Sequence, residues 1–336
     1  MFRVLAAGLV LLTLAGCTGT DPGPVPTPSA APTSAPAGPV IGAWHELVYH
    51  ERLRLTLLVN GGPETGKPDD APLELWSWDG RSWLLASRDG PRWRNFASVV
   101  YDSDRAVIVV HGGLQSRGAH LTDTWEWDGQ RWREFDGSAP GGREGAGFAY
   151  DPVRKVSVLY GGAGDKDFLG DTWAWNGTQW RRLTDAGPAA RAPSMMEFDE
   201  ARGQLVLYGG HAVSGGPSIL GDTWLWDGTS WRLVQAASPP GPRVNGGGVF
   251  HKRLGRVLMV AGGGERDTVA DIWAWDGRAW TRTADTALPP RQAAGLAYDS
   301  HREVVVLTGG LDRAGTRDRY QDVWEWRDTT FQRVYP

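Results

Sequence analysis

The sequence is poor in the groups that most chemistry needs. It holds one cysteine, Cys17, and four methionines in 336 residues. One thiol excludes an intrachain disulfide and any site built on clustered cysteines. Seven histidines are scattered, with no close His-x-x-His pair, so no metal ligand set and no cofactor is expected. A Gly-x-Ser-x-Gly nucleophile motif is absent. No segment carries convincing helical periodicity. Net charge is only −4, which provides no electrostatic footprint for nucleic acid or for an anionic membrane.

The one long apolar run stands at the start. Arg3 precedes Val4–Leu14, which is interrupted only by Gly8 and Thr13. That run is too short to span a bilayer and suits the apolar part of a secretory signal. It ends Leu14-Ala15-Gly16-Cys17, which resembles the lipobox of bacterial lipoproteins. The resemblance implies that residues 1–16 are removed and that Cys17 is acylated, giving a protein held outside the cytoplasm on a bacterial membrane by its lipid alone. Loss of residues 1–16 removes Arg3 and takes the charge from −4 to −5. Residues 17–39 carry seven prolines among small residues and read as a semi-rigid tether.

Residues 40–336 are repetitive. Gly-Gly pairs recur at Gly61, Gly112, Gly161, Gly209, Gly262 and Gly309. Trp-x-Trp pairs begin at Trp76, Trp125, Trp173, Trp224, Trp273 and Trp324, and a third aromatic follows each, at Trp83, Trp132, Trp180, Trp231, Trp280 and Phe331. Six copies at one period, each readable as four strands, predict an all-β, six-bladed propeller with four antiparallel strands per blade. Within a copy, Val156–Tyr160 is a continuous apolar strand and Asn176-Gly177 a hairpin signal. The repeat Arg…Tyr-Asp…Val-x-Val-Leu-Tyr-Gly-Gly…Asp-Thr-Trp-x-Trp-Asp-Gly-x-x-Trp resembles a kelch repeat, in the variant of bacterial extracytoplasmic proteins related to the central domain of galactose oxidase. It covers residues 43–336. The copper chemistry of galactose oxidase requires a cysteine–tyrosine crosslink, and Cys17 lies in the lipobox, so the resemblance implies fold without that activity.

The repeated residues have mostly structural readings. Side chains two apart on a strand share a face, so each Trp-x-Trp should point at one neighbouring blade as core rather than at a sugar. The Gly-Gly pairs precede no helix, so they read as strand exits and not as phosphate loops. Arg54, Arg105, Arg154, Arg202 and Arg302 lie seven residues before a Gly-Gly pair and are expected to pair with hairpin aspartates. A second series, Arg94, Arg143, Arg191, Arg243 and Arg291, falls on the same rim as Asp123, Asp171, Asp222, Asp271 and Asp322. These arginines are the candidate binding residues. Ion pairing with the aspartates is the alternative, and paired arginines can retain free donors. Trp93, outside the repeat frame between Arg92 and Arg94, is a candidate exposed ring facing a ligand. Asp165, Asp167 and Asp171 share a loop and could hold calcium, solvated carboxylates being the plainer reading. The loops after Gly-Gly differ between copies, and variable loops on a rigid scaffold are where binding resides. The functional reading is a monomeric, non-catalytic module that binds a protein or a cell-envelope glycan. The alternative is an enzyme on a small acidic sugar, since some six-bladed kelch-like propellers are sugar-acid isomerases.

Overall fold

The computed structural model describes residues 38–336 apart from 60–67, 69, 136, 138, 213–217, 284–286, 313–318 and 328. The signal-like segment, Cys17 and nearly all of the tether lie outside the described residues, as does Gly61-Gly62. No helix among the described residues is long and apolar enough to cross a membrane.

Each of the six copies builds one whole antiparallel sheet, in sequence order from the channel outwards. The innermost strands are Glu46–His50, Ser98–Asp102, Gly147–Asp151, Met195–Asp199, Gly247–His251 and Gly295–Asp299. Each touches the next, and the last touches the first, so the ring closes. No blade borrows a strand from another copy. Closure relies on packing and on the segment just before the first strand. Ile41 N–H donates to Gln321 Oε1 at 2.9 Å, Gly310 N–H donates to the Gly42 carbonyl at 3.0 Å, and Ile41 packs with Leu47, Val306 and Val323.

Among the described residues the core is six main clusters, one in each gap between blades, with a small seventh of Ala43, Ala293 and Leu311 where the ring closes. A sheet cannot bury both faces alone, so every blade depends on both neighbours. The second strands are apolar on both faces for this reason: Val107–His111 and Val304–Thr308 are buried throughout. Both members of each Trp-x-Trp face the preceding blade. Trp127 packs with Val48, Leu57 and Leu75, and Trp175 with Val107 and Val109.

The third aromatic explains itself through its ring nitrogen. Trp180 Nε1 donates to Thr124 Oγ1 of the preceding blade at 2.8 Å, Trp231 to Thr172 at 2.9 Å, and Trp280 to Thr223 at 3.0 Å. The last blade has Phe331 instead, and the residue opposite it is Ile272, both in one cluster. Donor and acceptor are lost together, which leaves no buried polar atom unpaired. At the ring closure only the acceptor is lost. Trp83 faces Val323, and its Nε1 is buried without a partner.

The hairpin between third and fourth strands turns on Asn176-Gly177 and its Asp-Gly counterparts. Asn176 Oδ1 accepts the N–H groups of Thr178 and Gln179, both at 2.9 Å. Gly177 has φ +92°, and a Cβ there would lie 2.5 Å from Arg105 Nη1 of the preceding blade.

One arginine series is displaced by a residue. In blade 1, Leu53 and not Arg54 occupies the arginine position, and Arg54 takes a left-handed φ of 57°, as Ala106 and Glu303 do in their blades. His50 stands for the aspartate: Leu53 N–H donates to His50 Nδ1 at 3.3 Å, where Arg105 N–H donates to Asp102 Oδ1 at 3.0 Å. Blade 5 repeats the exchange with Leu254 and His251. Arg105, Arg154, Arg202 and Arg302 do pair with their hairpin aspartates.

Candidate functional site

The rim that carries the loops after Gly-Gly is built on the second arginine series. Each arginine enters its blade just before the innermost strand and reaches two strands across. Arg94 Nη1 and Nη2 donate to the two carboxylate oxygens of Asp123 at 2.6 and 2.8 Å, and Nη1 also donates to the Gly112 carbonyl at 3.0 Å. The same fork joins Arg143 to Asp171, Arg191 to Asp222, Arg243 to Asp271 and Arg291 to Asp322. Arg143 uses all its donors, with Nε on the Gly141 carbonyl and Nη2 also on that of Pro140. Each aspartate then accepts the Nε1–H of the first tryptophan in its Trp-x-Trp, as Asp222 does from Trp224 at 2.6 Å. The planar fork suits this bidentate role in a way that lysine could not.

Burial alone would raise these carboxyls. Hydrogen bonds from the arginine and its charge outweigh burial, so Asp123, Asp171, Asp222 and Asp271 sit below the usual carboxylate range. The arginines are 0–5% exposed. They therefore frame the rim from inside and do not form its surface. Their pairing is within a blade, strand to strand. Arg243 retains one buried donor, Nε, without a partner, and Arg291 stacks 3.9 Å from the Tyr320 ring centroid.

Trp93 is corrected outright as an exposed ring. It is 1% exposed, and its N–H donates to the Ala71 carbonyl at 2.7 Å. The flanking arginines made the segment look like a surface loop. The chain there bridges blades 1 and 2 through Pro72 and Arg92, and the indole is buried.

Blade 1 lacks the fork, with Gly42 and Glu74 at the two positions. Glu74 takes Trp76 Nε1–H at 2.9 Å and Arg88 at 3.2 Å instead. Asp171 is committed to Arg143 and Trp173, and Asp165 Oδ1 accepts from His120 Nδ1 at 2.7 Å. Among the described residues no three acidic, histidine or cysteine side chains converge as metal ligands.

The loops above this frame differ. In blades 4 and 5 the ladder continues past the glycines, through His211↔Ile219 and Gly263↔Thr268, so a hairpin projects from each. In blades 2, 3 and 6 a single bridge holds the loop, Leu114↔His120, Ala163↔Phe168 and Leu311↔Arg319.

Inside the ring of loops lies the mouth of the central channel. Its collar is the residue two after each rim arginine, or after Gly42 in blade 1: Trp44, Phe96, Gly145, Asn245 and Ala293 in left-handed conformation, and Pro193, which cannot adopt it. Collar residues are linked blade to blade, Gly145 N–H to the Phe96 carbonyl at 2.9 Å and Ala293 N–H to the Asn245 carbonyl at 3.0 Å. Below is a cavity of about 330 Å³ lined by all six innermost strands, with no arginine among its described lining residues. A sugar acid bound here would meet no arginine of the rim series, because those side chains are buried within the blades. At the far end Lys252 reaches Glu51 at 2.7 Å and Glu200 at 3.7 Å, tying blades 1, 4 and 5.

Two carboxyls in this cavity were not singled out as a pair by sequence reasoning. Glu46 and Glu197 are both pushed up to about 8, by burial; at Glu197 the Phe198 N–H opposes the shift and the Glu200 charge adds to it. The signal was present in the aligned copies. Glu46 stands where three blades have glycine, and Glu197 is the only charged residue at its position of the innermost strand. No protein-family model and no curated protein matches this chain.

Proposed function

We propose that the protein is an extracytoplasmic binding module, anchored through acylated Cys17 and the tether of residues 18–39, that presents its loop-bearing rim to a protein or glycan of the cell envelope. One observation carries this reading: the repeated charges of the rim are consumed within the blades, while the loops they support are unlike one another. A stiff, internally neutralised frame under dissimilar loops is the arrangement of a recognition surface. Arg94, Arg143, Arg191, Arg243 and Arg291 serve it by fixing the loop bases. Kelch-like ancestry, in the galactose oxidase-related variant, fits the repeat and belongs to the same proposal.

The test compares three proteins for binding to isolated envelope fractions. One is unaltered, one has residues 115–119 and 264–267 replaced by Gly/Ser, and one carries substitutions at the opposite rim, Arg52→Ser and Arg253→Ser. The loop variant is expected to lose binding and keep its urea midpoint, with the opposite-rim variant unaffected. Equal binding by all three would refute the assignment. Intact-mass measurement of the mature N-terminus addresses the anchor, and an unmodified terminus would remove it.

A further inference from the structure

The six innermost strands share one backbone plan, yet the cavity they enclose is chemically lopsided. At their first position three blades carry glycine, and blade 1 carries Glu46. Glu46 lines the lumen and keeps accessible surface within it, and its carboxyl, enclosed by the ring, has no hydrogen-bonding or ionic partner among the described residues. Across the ring, blade 4 adds Glu197, whose one hydrogen bond is from the Phe198 N–H at 3.1 Å. Gly248 beside it makes room for Met195: a Cβ there would lie 2.6 Å from Met195 Cγ and 3.6 Å from Glu197 Cβ. The other charged groups of the lining are already satisfied. Lys252 is held by Glu51 and Glu200 at the far end. His45 is lowered to about 4 by burial and is neutral. The lumen tyrosines 49, 101, 150 and 298 are all raised by burial and are uncharged. At the collar, next to Glu46, the half-buried rings of Trp44 and Phe96 meet at 4.9 Å between centroids.

We propose that the central cavity is a binding site for a small linear diammonium compound, with Glu46 and Glu197 as its two counter-ions and the Trp44–Phe96 collar as its apolar wall. A volume of about 330 Å³ lies at the small end of ligand pockets. The carboxyls stand on opposite blades and two register positions apart, an axial offset of ~7 Å. That separation suits two linked charges, where a single metal ion would need converging ligands. Aromatic faces attract ammonium groups. With no ligand the carboxyls hold their protons, which is the cheapest state for acids in a confined lumen. A diammonium ligand stabilises the ionised form, so binding expels protons. This site is independent of the rim loops.

The test is titration calorimetry of the full chain with 1,5-diaminopentane, in buffers of differing ionisation heat. Saturable one-site binding with net proton release is expected, tightening about tenfold or more between pH 6.5 and 8.5. Glu46→Gln and Glu197→Gln should each weaken it at least about tenfold with melting at pH 7 equal to or above that of the unaltered protein, and pentylamine should bind more weakly than the diamine. Absence of saturable heat, binding without proton release in the unaltered protein, or full affinity in both glutamine variants would overturn the proposal. So would competition by calcium chloride at matched ionic strength, which would make the site a metal site. Proton release needs no variant, so a glutamine chain that fails to fold leaves the proposal open to refutation.

Discussion

Replacing Arg191 by alanine removes the best-defined part of the rim frame. The guanidinium is 1% exposed and donates to Asp222 at 2.6 and 2.9 Å, to the Gly209 carbonyl at 3.0 Å and to the Ala189 carbonyl at 2.9 Å. Alanine would leave the Gly209 carbonyl short of a donor, the Ala189 carbonyl with the Tyr160 hydroxyl, and Asp222 with Trp224 as its main remaining partner. Breaking a buried pair by removing one partner costs about 3–5 kcal/mol. The Asp222 side chain retains 29% exposure, so water can relieve part of its charge, and we expect the lower end, about 3 kcal/mol. Urea unfolding followed by tryptophan fluorescence reads this as a fall in midpoint at unchanged slope. Asp222→Asn should cost less, and the double variant should cost less than the sum, because the two changes remove one shared interaction. A loss below about 1 kcal/mol for Arg191→Ala would refute the reasoning, since it would mean that the fork behaves as an exposed ion pair does. Loss of partner binding at unchanged stability would place Arg191 on the recognition surface.

The other expectations follow from the same geometry. Gly177→Ala forces a left-handed φ of +92° on a side chain that meets Arg105, and should cost about 1–2 kcal/mol in urea unfolding. Phe331→Trp alone should destabilise, because Ile272 offers its Nε1–H no acceptor, and adding Ile272→Thr should recover about 1 kcal/mol. Melting followed against pH should fall as pH rises from about 6.5 to about 8, because Glu46 and Glu197 keep their protons longer folded than unfolded, whereas between about 4.5 and about 6.5 the buried histidines offset them. Glu46→Gln/Glu197→Gln should flatten that limb. His45 and His111 are lowered to about 4 and about 3, first of all by burial. They act oppositely, so their contribution is lost as pH drops below about 6.5. An unchanged alkaline limb in the double glutamine variant would contradict the carboxyl assignment.

Much of the architecture was legible because it is repeated. The six Trp-x-Trp pairs, their common face and the hairpin glycines recur with one period, and the steric reason for each is local. Trp93 was misread because burial is a property of the bridge between blades 1 and 2, which flanking arginines do not report. Arg54 was misplaced because spacing was counted from Gly61, whereas the backbone register puts Leu53 at the arginine position and His50 at the aspartate. The rim arginines and their aspartates are legible in the sequence as a set, but donor satisfaction is three-dimensional, and no spacing reports that Arg143 uses every N–H. Carboxylates such as Glu197 could not be paired from sequence, because Glu46 and Glu197 are far apart in the chain and come to line one cavity only through ring closure.

Hydrogen exchange of the protein, free and bound to the envelope fraction it recognises, tests the central claim most directly. The account expects new protection at residues 114–121, 163–170 and 264–267, with none at the first hairpins, residues 51–54, 152–155 and 252–255. Protection confined to those hairpins, or to the outer strands such as Trp83–Ser87, would place recognition elsewhere and contradict it.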